Sequence, residues 1–485
     1  MITVISYCLF ALLVMGATMV KRRLPRQLML LAASYLFYST WGLAFLAILV
    51  SSSLFNFFYG EFLKRRPSLG RLAGGVAANV LLMVFFKGTH LEIFAGLNSH
   101  AMDVLRGIAM PLGISFWTFQ ALSYLFDIYR QEELDPTPVE FCLYMAFWPT
   151  VVMGPICRLG NMLPQFREVR VVSSENVLIG SKRILMGLVM KLGISQILAV
   201  GLVAGTGVSA AFDQQSVPYG GLDVWFLAIG YGLQLFFDFA GYSHIVIGAA
   251  RLFGFELAEN FNSPFIASTP SEFWTRWHMT LTSWIRDYVF VPMATLRRDV
   301  WWRYAALLFS MTLFGLWHGA KATFILWGIY EGALLVIHRM VQQFRRNRSV
   351  NLPVPLDGAL SWLVTFLAVS LGWIFFRSRD LGQAMNMLGS TLSPGSYLHP
   401  MLPASYFFLV SAVLIAYIAH KTILAPALVR LNRSSDPSGQ SAAGRVRAYG
   451  TICVRCFVNP SDLHLVSLNP AQRNESVTPF VYALF

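Results

Sequence analysis

Apolar runs separated by short basic clusters organise this chain along most of its length. The first run starts at Ile2 and is followed by Lys21, Arg22, Arg23 and Arg26. With no basic residues ahead of it and no small-residue cleavage pattern, it reads as a retained helix whose N-terminus lies outside. The second run, Leu28 to Gly60, leads into Lys64, Arg65, Arg66 and Arg71. As one helix it would be roughly 50 Å long at ~1.5 Å per residue, against a hydrocarbon core of ~30 Å. It would also leave one basic cluster outside, whereas two helices turning near Trp41-Gly42 keep both clusters inside, and that hairpin is the expectation.

Further apolar segments run approximately from Leu72 to Phe86, Gly107 to Phe126, Phe141 to Ile156, Val177 to Val203, Val224 to Phe253, Tyr304 to Trp317, Ala322 to Ile337, Leu360 to Phe376 and Tyr406 to Ile418. Several are short or interrupted by Gly and Pro, as in re-entrant or broken helices that line a protein-buried cavity. The pattern predicts an all-α polytopic membrane protein of roughly 10–12 spans, some of them partial. The membrane-embedded domain covers 1–423. A basic tail rich in Ser, Gly, Arg and Asn, 424–485, is expected to be loosely ordered. No repeat divides the chain into halves, which weighs against a transporter or flippase built on inverted repeats.

Composition agrees, with 56% hydrophobic and 14% aromatic residues and a mean hydropathy of +0.57, more apolar surface than a soluble domain can bury. Lys+Arg 37 against Asp+Glu 24 leaves a net charge of +13. In a membrane chain that excess first points to cytoplasmic loops facing anionic lipid headgroups, and no soluble basic domain is present to bind nucleic acid. The five cysteines, Cys8, Cys142, Cys157, Cys453 and Cys456, are odd in number, with three in or beside apolar segments, so a disulfide framework is not expected. Cys453 and Cys456 have C-x-x-C spacing but no second pair, and no metal site is expected.

Two histidines carry the chemistry: His278 in Arg276-Trp277-His278-Met279 and His318 in Gly315-Leu316-Trp317-His318-Gly319. A titratable imidazole in a span is a functional candidate by default. The segment Thr269 to Pro292 predicts one amphipathic helix, started by the Thr269-Pro270-Ser271-Glu272 capping signal. Phe273, Trp277, Leu281, Trp284 and Tyr288 fall on one side of it, and Glu272, Arg276, Ser283 and Asp287 on another. Its bland reading is an interfacial helix; His278 turns it into a site wall. His318 is expected at the break of a hairpin that continues past the intramembrane Glu331, where a neutral imidazole can take the proton of an attacking hydroxyl. A third constellation puts Gln234, Asp238 and Tyr242 on one helical face. Arg276, Lys191 and Arg158 are the possible partners for the acid, and His244 is a bystander.

Several ordered motifs carry a family resemblance: Met110-Pro111-Leu112-Gly113, Phe147-Trp148-Pro149 with Gly154-Pro155-Ile156 and Arg158, Phe237-Asp238-Phe239-Ala240-Gly241-Tyr242-Ser243, Asn260-Phe261-Asn262-Ser263-Pro264, the two Trp-His motifs, and Trp284-Ile285-Arg286-Asp287-Tyr288. Through this motif-bearing core, 110–328, the chain resembles the membrane-bound O-acyltransferase (MBOAT) family and its bacterial alginate O-acetyltransferase-like branch. The resemblance implies a bowl of tilted helices around a central tunnel in the bacterial inner membrane, with His318 as catalytic histidine and His278 as its companion. Trp277, Trp317, Arg276, Asp238, Gln234, Tyr242 and Asp287 would bind substrate or line the tunnel. It further implies acetyl transfer from a cytoplasmic thioester donor, acetyl-CoA, with no bound cofactor, toward an extracytoplasmic SGNH-hydrolase-like partner that acetylates a polysaccharide such as alginate, cellulose or peptidoglycan. D-alanyl transfer to teichoic acid uses the same scaffold and is the alternative. Glu331 and His244 depart from the residues expected at their positions.

Overall fold

The structure is a computed structural model that describes residues 2–88, 110–170, 172–202, 205–213, 219–348 and 354–424. The tail with Cys453 and Cys456, and the start of the segment expected from Gly107, lie outside the described residues. Helices α1 (Ile2–Met19), α2 (Arg23–Ser39), α3 (Leu43–Arg65) and α4 (Leu69–Gly88) open the chain. The long apolar run is broken at Thr40–Gly42, where Gly42 takes φ +147°, a conformation that suits glycine. Arg23 pairs with Glu140, and Lys64 pairs with Asp135 at 3.0 Å. Because those acids are five residues apart, both basic clusters stand at one end of the molecule.

Next come α5 (Ile114–Tyr129), α6 (Pro138–Ala146), α7 (Leu159–Arg167) and α8 (Ser174–Val200), the last with a π-helical turn at Val189–Ser195. The apolar segment Phe141 to Ile156 is not a span. Helix α6 stops at Ala146 and buried irregular chain follows, returning through α7. Phe147 leaves the helical region at ψ 112°, two residues ahead of Pro149, which has no N–H to continue the helical ladder. Gly113, at φ +73°, lets α5 start against this chain, since a Cβ there would sit 2.0 Å from the Val151 carbonyl oxygen.

A short α9 (Val208–Asp213) leads to α10 (Gly221–Leu252), which packs along α8. Their backbones touch: a Cβ on Gly187 would lie 2.5 Å from the Gly241 carbonyl oxygen, and one on Gly248 would lie 2.7 Å from that of Gly180. Small residues at such crossings are the usual device for packing helices in lipid. The rest comprises α11 (Pro270–Arg276), α12 (Met279–Ile285), α13 (Val291–Ala294), α14 (Val300–His318), α15 (Ala322–Arg348), α16 (Val354–Arg377), α17 (Leu381–Leu392) and α18 (Ala404–Ala419). Among the described residues seven helices are long and apolar enough to cross a bilayer. The chain is therefore an all-α, multi-pass membrane protein.

Candidate active site

The helix expected across Thr269 to Pro292 is in fact broken at its histidine. The start behaves as its sequence demands: the Glu272 N–H donates to Thr269 Oγ1 at 3.1 Å, and Glu272 reaches back to the Ser268 N–H at 2.8 Å. Trp277 then leaves helical geometry and His278 adopts a left-handed conformation, φ +41° and ψ +52°, an uncommon state for a non-glycine residue. The preceding loop pins the break from both sides. The Asn262 N–H donates to the Arg276 carbonyl at 2.9 Å, and the Met279 N–H donates to the Asn260 carbonyl at 2.8 Å. The buried Asn260 side chain completes the clamp, accepting from Thr280 Oγ1 at 2.6 Å and donating to Ser243 Oγ on α10 at 3.1 Å. No helix-period argument could see this, since the competing hydrogen bonds come from residues about eighteen positions upstream. Asn260 belongs to a quoted motif, yet its clamping role was missed.

The break turns the imidazole of His278 inward. It is 4% exposed, packs edge-on to Phe239 of α10 with centroids 4.7 Å apart, and neither ring nitrogen has a hydrogen-bond partner in the protein. His318 closes α14, followed by Gly319, so the expected hairpin break is where the sequence put it. Trp317 (4.5 Å), Phe376 (4.8 Å), Phe314 (5.2 Å) and Trp327 (5.4 Å) surround its ring. This cage depends on close approach of α14 and α15: a Cβ on Gly328 would stand 2.3 Å from the Met311 carbonyl oxygen, and one on Gly315 2.2 Å from that of Phe324.

The two histidine motifs border one aromatic cluster. Trp277 meets Trp373 at 4.9 Å, Trp373 stacks on Trp327 at 6.4 Å, and Trp327 abuts His318. The indole N–H groups of Trp317, Trp327 and Trp373 and both ring nitrogens of His278 make no hydrogen bond within the protein, while the buried Glu331 carboxyl faces the Trp274 indole. Buried polar atoms are rarely left so, and their concentration around two imidazoles marks a place built to meet a ligand's polar atoms. Among the described residues no group of three His, Cys, Asp or Glu side chains converges as a metal site.

The remaining candidates divide. Asp238 pairs with Lys191 at 2.5 Å across the α8 π-helical turn, which settles the choice among its three possible partners. Arg276 instead pairs with Glu272 at 2.8 Å, and Arg158 with Asp287. Gln234 and Tyr242 share the half-buried face of Asp238, and Phe239 between them touches His278. Asp287 lies in a separate charged cluster. Arg286 donates to it at 2.6 Å, and the neighbouring Tyr288 donates to Asp127 at 2.8 Å beneath the guanidinium groups of Arg130 and Arg158. A path of rings, Tyr288, Trp284, Phe119 and Trp317, joins that cluster to His318. Lys87, at the end of α4, was not singled out from the sequence. It hydrogen-bonds the Trp317 carbonyl and lies over the Trp317 ring at 5.0 Å. Its only signal is a lone cation closing an apolar run, which ordinarily reads as an interfacial anchor.

The fold is that of a many-helix membrane protein with two histidine motifs bordering one aromatic cluster, and comparison with known proteins supplies the family. The pattern of the MBOAT, membrane-bound O-acyltransferase family matches residues 114–376. The chain belongs to that family and is an acyltransferase that uses an acyl donor. It is 32% identical over 460 residues to the probable alginate O-acetylase AlgI of Pseudomonas putida, covering 92% of this chain and 90% of that protein. It is 30% identical over 400 residues to the peptidoglycan O-acetyltransferase of Helicobacter pylori, covering 76% and 74%. The teichoic acid D-alanyltransferase of Streptococcus thermophilus is 30% identical over 291 residues, 55% of this chain and 68% of that protein.

Proposed function

We propose that this protein moves an acetyl group from cytoplasmic acetyl-CoA, at a site served by His318, toward an extracytoplasmic SGNH-hydrolase-like partner, for O-acetylation of a polysaccharide outside a bacterial inner membrane. Alginate is the leading acceptor and peptidoglycan the next, since both appear in the names of relatives covered over most of their length. The observation that carries the reading is the imidazole of His318 closing a membrane helix inside an aromatic cage, within the stretch that matches the family.

The charged nucleotide of CoA does not cross a bilayer, so only its pantetheine arm would enter a tunnel to bring the thioester to His318. An imidazole nitrogen of His318 takes the proton from the acceptor hydroxyl as its oxygen attacks the carbonyl carbon. The tetrahedral intermediate collapses, the C–S bond breaks, and the proton passes from the imidazolium to the departing thiolate. Alternatively His318 carries the acetyl group itself for part of the cycle. His278 orients the site or donates to the developing oxyanion, a role its two unused nitrogens suit. Asp238, Gln234, Tyr242, Arg276, Asp287, Trp277 and Trp317 are assigned to the tunnel or its approaches.

Purified protein in detergent, given acetyl-labelled acetyl-CoA and a model hydroxyl acceptor, tests the donor. Acetylated acceptor and free CoA in equal amounts are expected. Turnover with a D-alanyl carrier-protein thioester and none with acetyl-CoA would transfer the assignment to the D-alanyl alternative.

A further inference from the structure

A lysine at the end of a membrane helix ordinarily extends its ammonium toward the headgroups. Lys87 turns inward instead. Its Nζ donates to the Trp317 carbonyl oxygen, one of the last carbonyls of α14 that has no partner within the helix. The same ammonium sits 5.0 Å from the centroid of the Trp317 ring, and that ring is 4.5 Å from the ring of His318. One cation thus holds both the backbone and the ring of the residue immediately before the candidate base, which is more than anchoring α4 to α14 requires. Glu331, the acid nearest along α15, turns its carboxyl toward Gly372 of α16, where a Cβ would stand 2.4 Å from Oε1.

We propose that Lys87 is a positioning residue for acyl transfer: it caps α14, holds the Trp317–His318 pair in place and supplies the fixed positive charge beside the reacting centre. Negative charge develops first on the carbonyl oxygen of the tetrahedral intermediate and then on the thiolate sulfur. A preorganised cation stabilises both. A cation is also the favourable charge at a helix C-terminus, so capping and charge placement act together. The proposal rests on His318 being the reacting base.

The test compares wild type, Lys87→Met, Lys87→Arg and His318→Ala in detergent, measuring kcat and KM for acetyl-CoA together with the thermal midpoint. Lys87→Met should lower kcat by ~10- to 100-fold with KM changed less than ~3-fold, and Lys87→Arg should recover kcat to within ~5-fold of wild type. Wild-type kcat in Lys87→Met, or an equal loss in Lys87→Arg, overturns the proposal. If His318→Ala is nevertheless inactive, the reading of His318 survives; if His318→Ala is active too, both fall. A donor-independent arm follows modification of His318 by diethylpyrocarbonate against pH. Its midpoint should move in Lys87→Met and return in Lys87→Arg, and a midpoint that stays fixed in both counts against a charge role.

Discussion

Gly328→Ala is the sharpest single perturbation of the site that leaves every reacting group in the protein. A Cβ at position 328 would lie 2.3 Å from the Met311 carbonyl oxygen and 3.1 Å from the Gly315 nitrogen, where ordinary contact begins near 3.4 Å. The obstacle is helix backbone, which cannot rotate aside, so α14 and α15 must separate locally by about 1 Å. Overpacking of this kind costs about 1–3 kcal/mol, and the displacement falls between Trp327 and the last turn of α14, the two surfaces that fix His318. A misplacement of about 1 Å at a reacting group can cost ~10²-fold in rate. Gly328→Ala should therefore insert in the membrane, lose several degrees of thermal stability and retain about one per cent of acetyl transfer in the labelled-donor assay. Near-wild-type turnover would show that the α14–α15 contact does not set the position of the imidazole, and the cage argument would fail.

Two further outcomes follow from the end of the molecule that carries the basic clusters. Burial of the Glu140 carboxyl opposes its ionisation, but hydrogen bonds from Arg167, the Thr137 N–H, Arg23 and Gln27 outweigh that and hold it down to about 2. The resulting stabilisation is complete above the ordinary carboxyl range and is lost as pH falls from there toward 2. Glu140→Gln removes the charge from a buried carboxyl whose arginine partners reach solvent, so it should lower the thermal midpoint at neutral pH and flatten the acid limb of the stability curve; an unchanged acid limb would assign that limb to other groups. For sidedness, single cysteines replacing Lys21 and Ser68 in a cysteine-free background should both escape an impermeant thiol reagent in intact cells and both react in inverted vesicles. Labelling of one alone would refute the shared face; Gln27 is unsuitable for this purpose because it is buried and bonded to Glu140.

The helical, multi-pass class was legible because nothing but bilayer burial accommodates so many apolar runs, and the turn at Trp41-Gly42 followed from length and charge together. His318 was legible for a local reason, since Trp-His-Gly after an apolar run of helical length places the break by itself. What escaped the sequence depends on partners far along the chain. The bend at His278 is imposed by Asn260 and Asn262, which out-compete the i→i−4 ladder of a segment with good helical periodicity. The run Phe141 to Ile156 has the hydropathy of a span but folds as a short helix and buried loop against Gly113. Lys191 could not be chosen over Arg276 and Arg158 because each cation has its own nearby acid, and only tertiary packing shows which. Lys87 was overlooked because charge at the end of an apolar run carries no direction in one dimension.

The central claim is that His318 performs the transfer, and its most direct measurement is single-turnover acetyl transfer by purified His318→Ala and His318→Gln beside wild type, with helicity and thermal midpoint recorded on the same samples. Loss of a general base is worth ~10²- to 10⁴-fold. The expected result is a fall of that size in both variants, with wild-type helicity and a midpoint within a few degrees. Turnover within a few-fold of wild type in either folded variant would contradict the account.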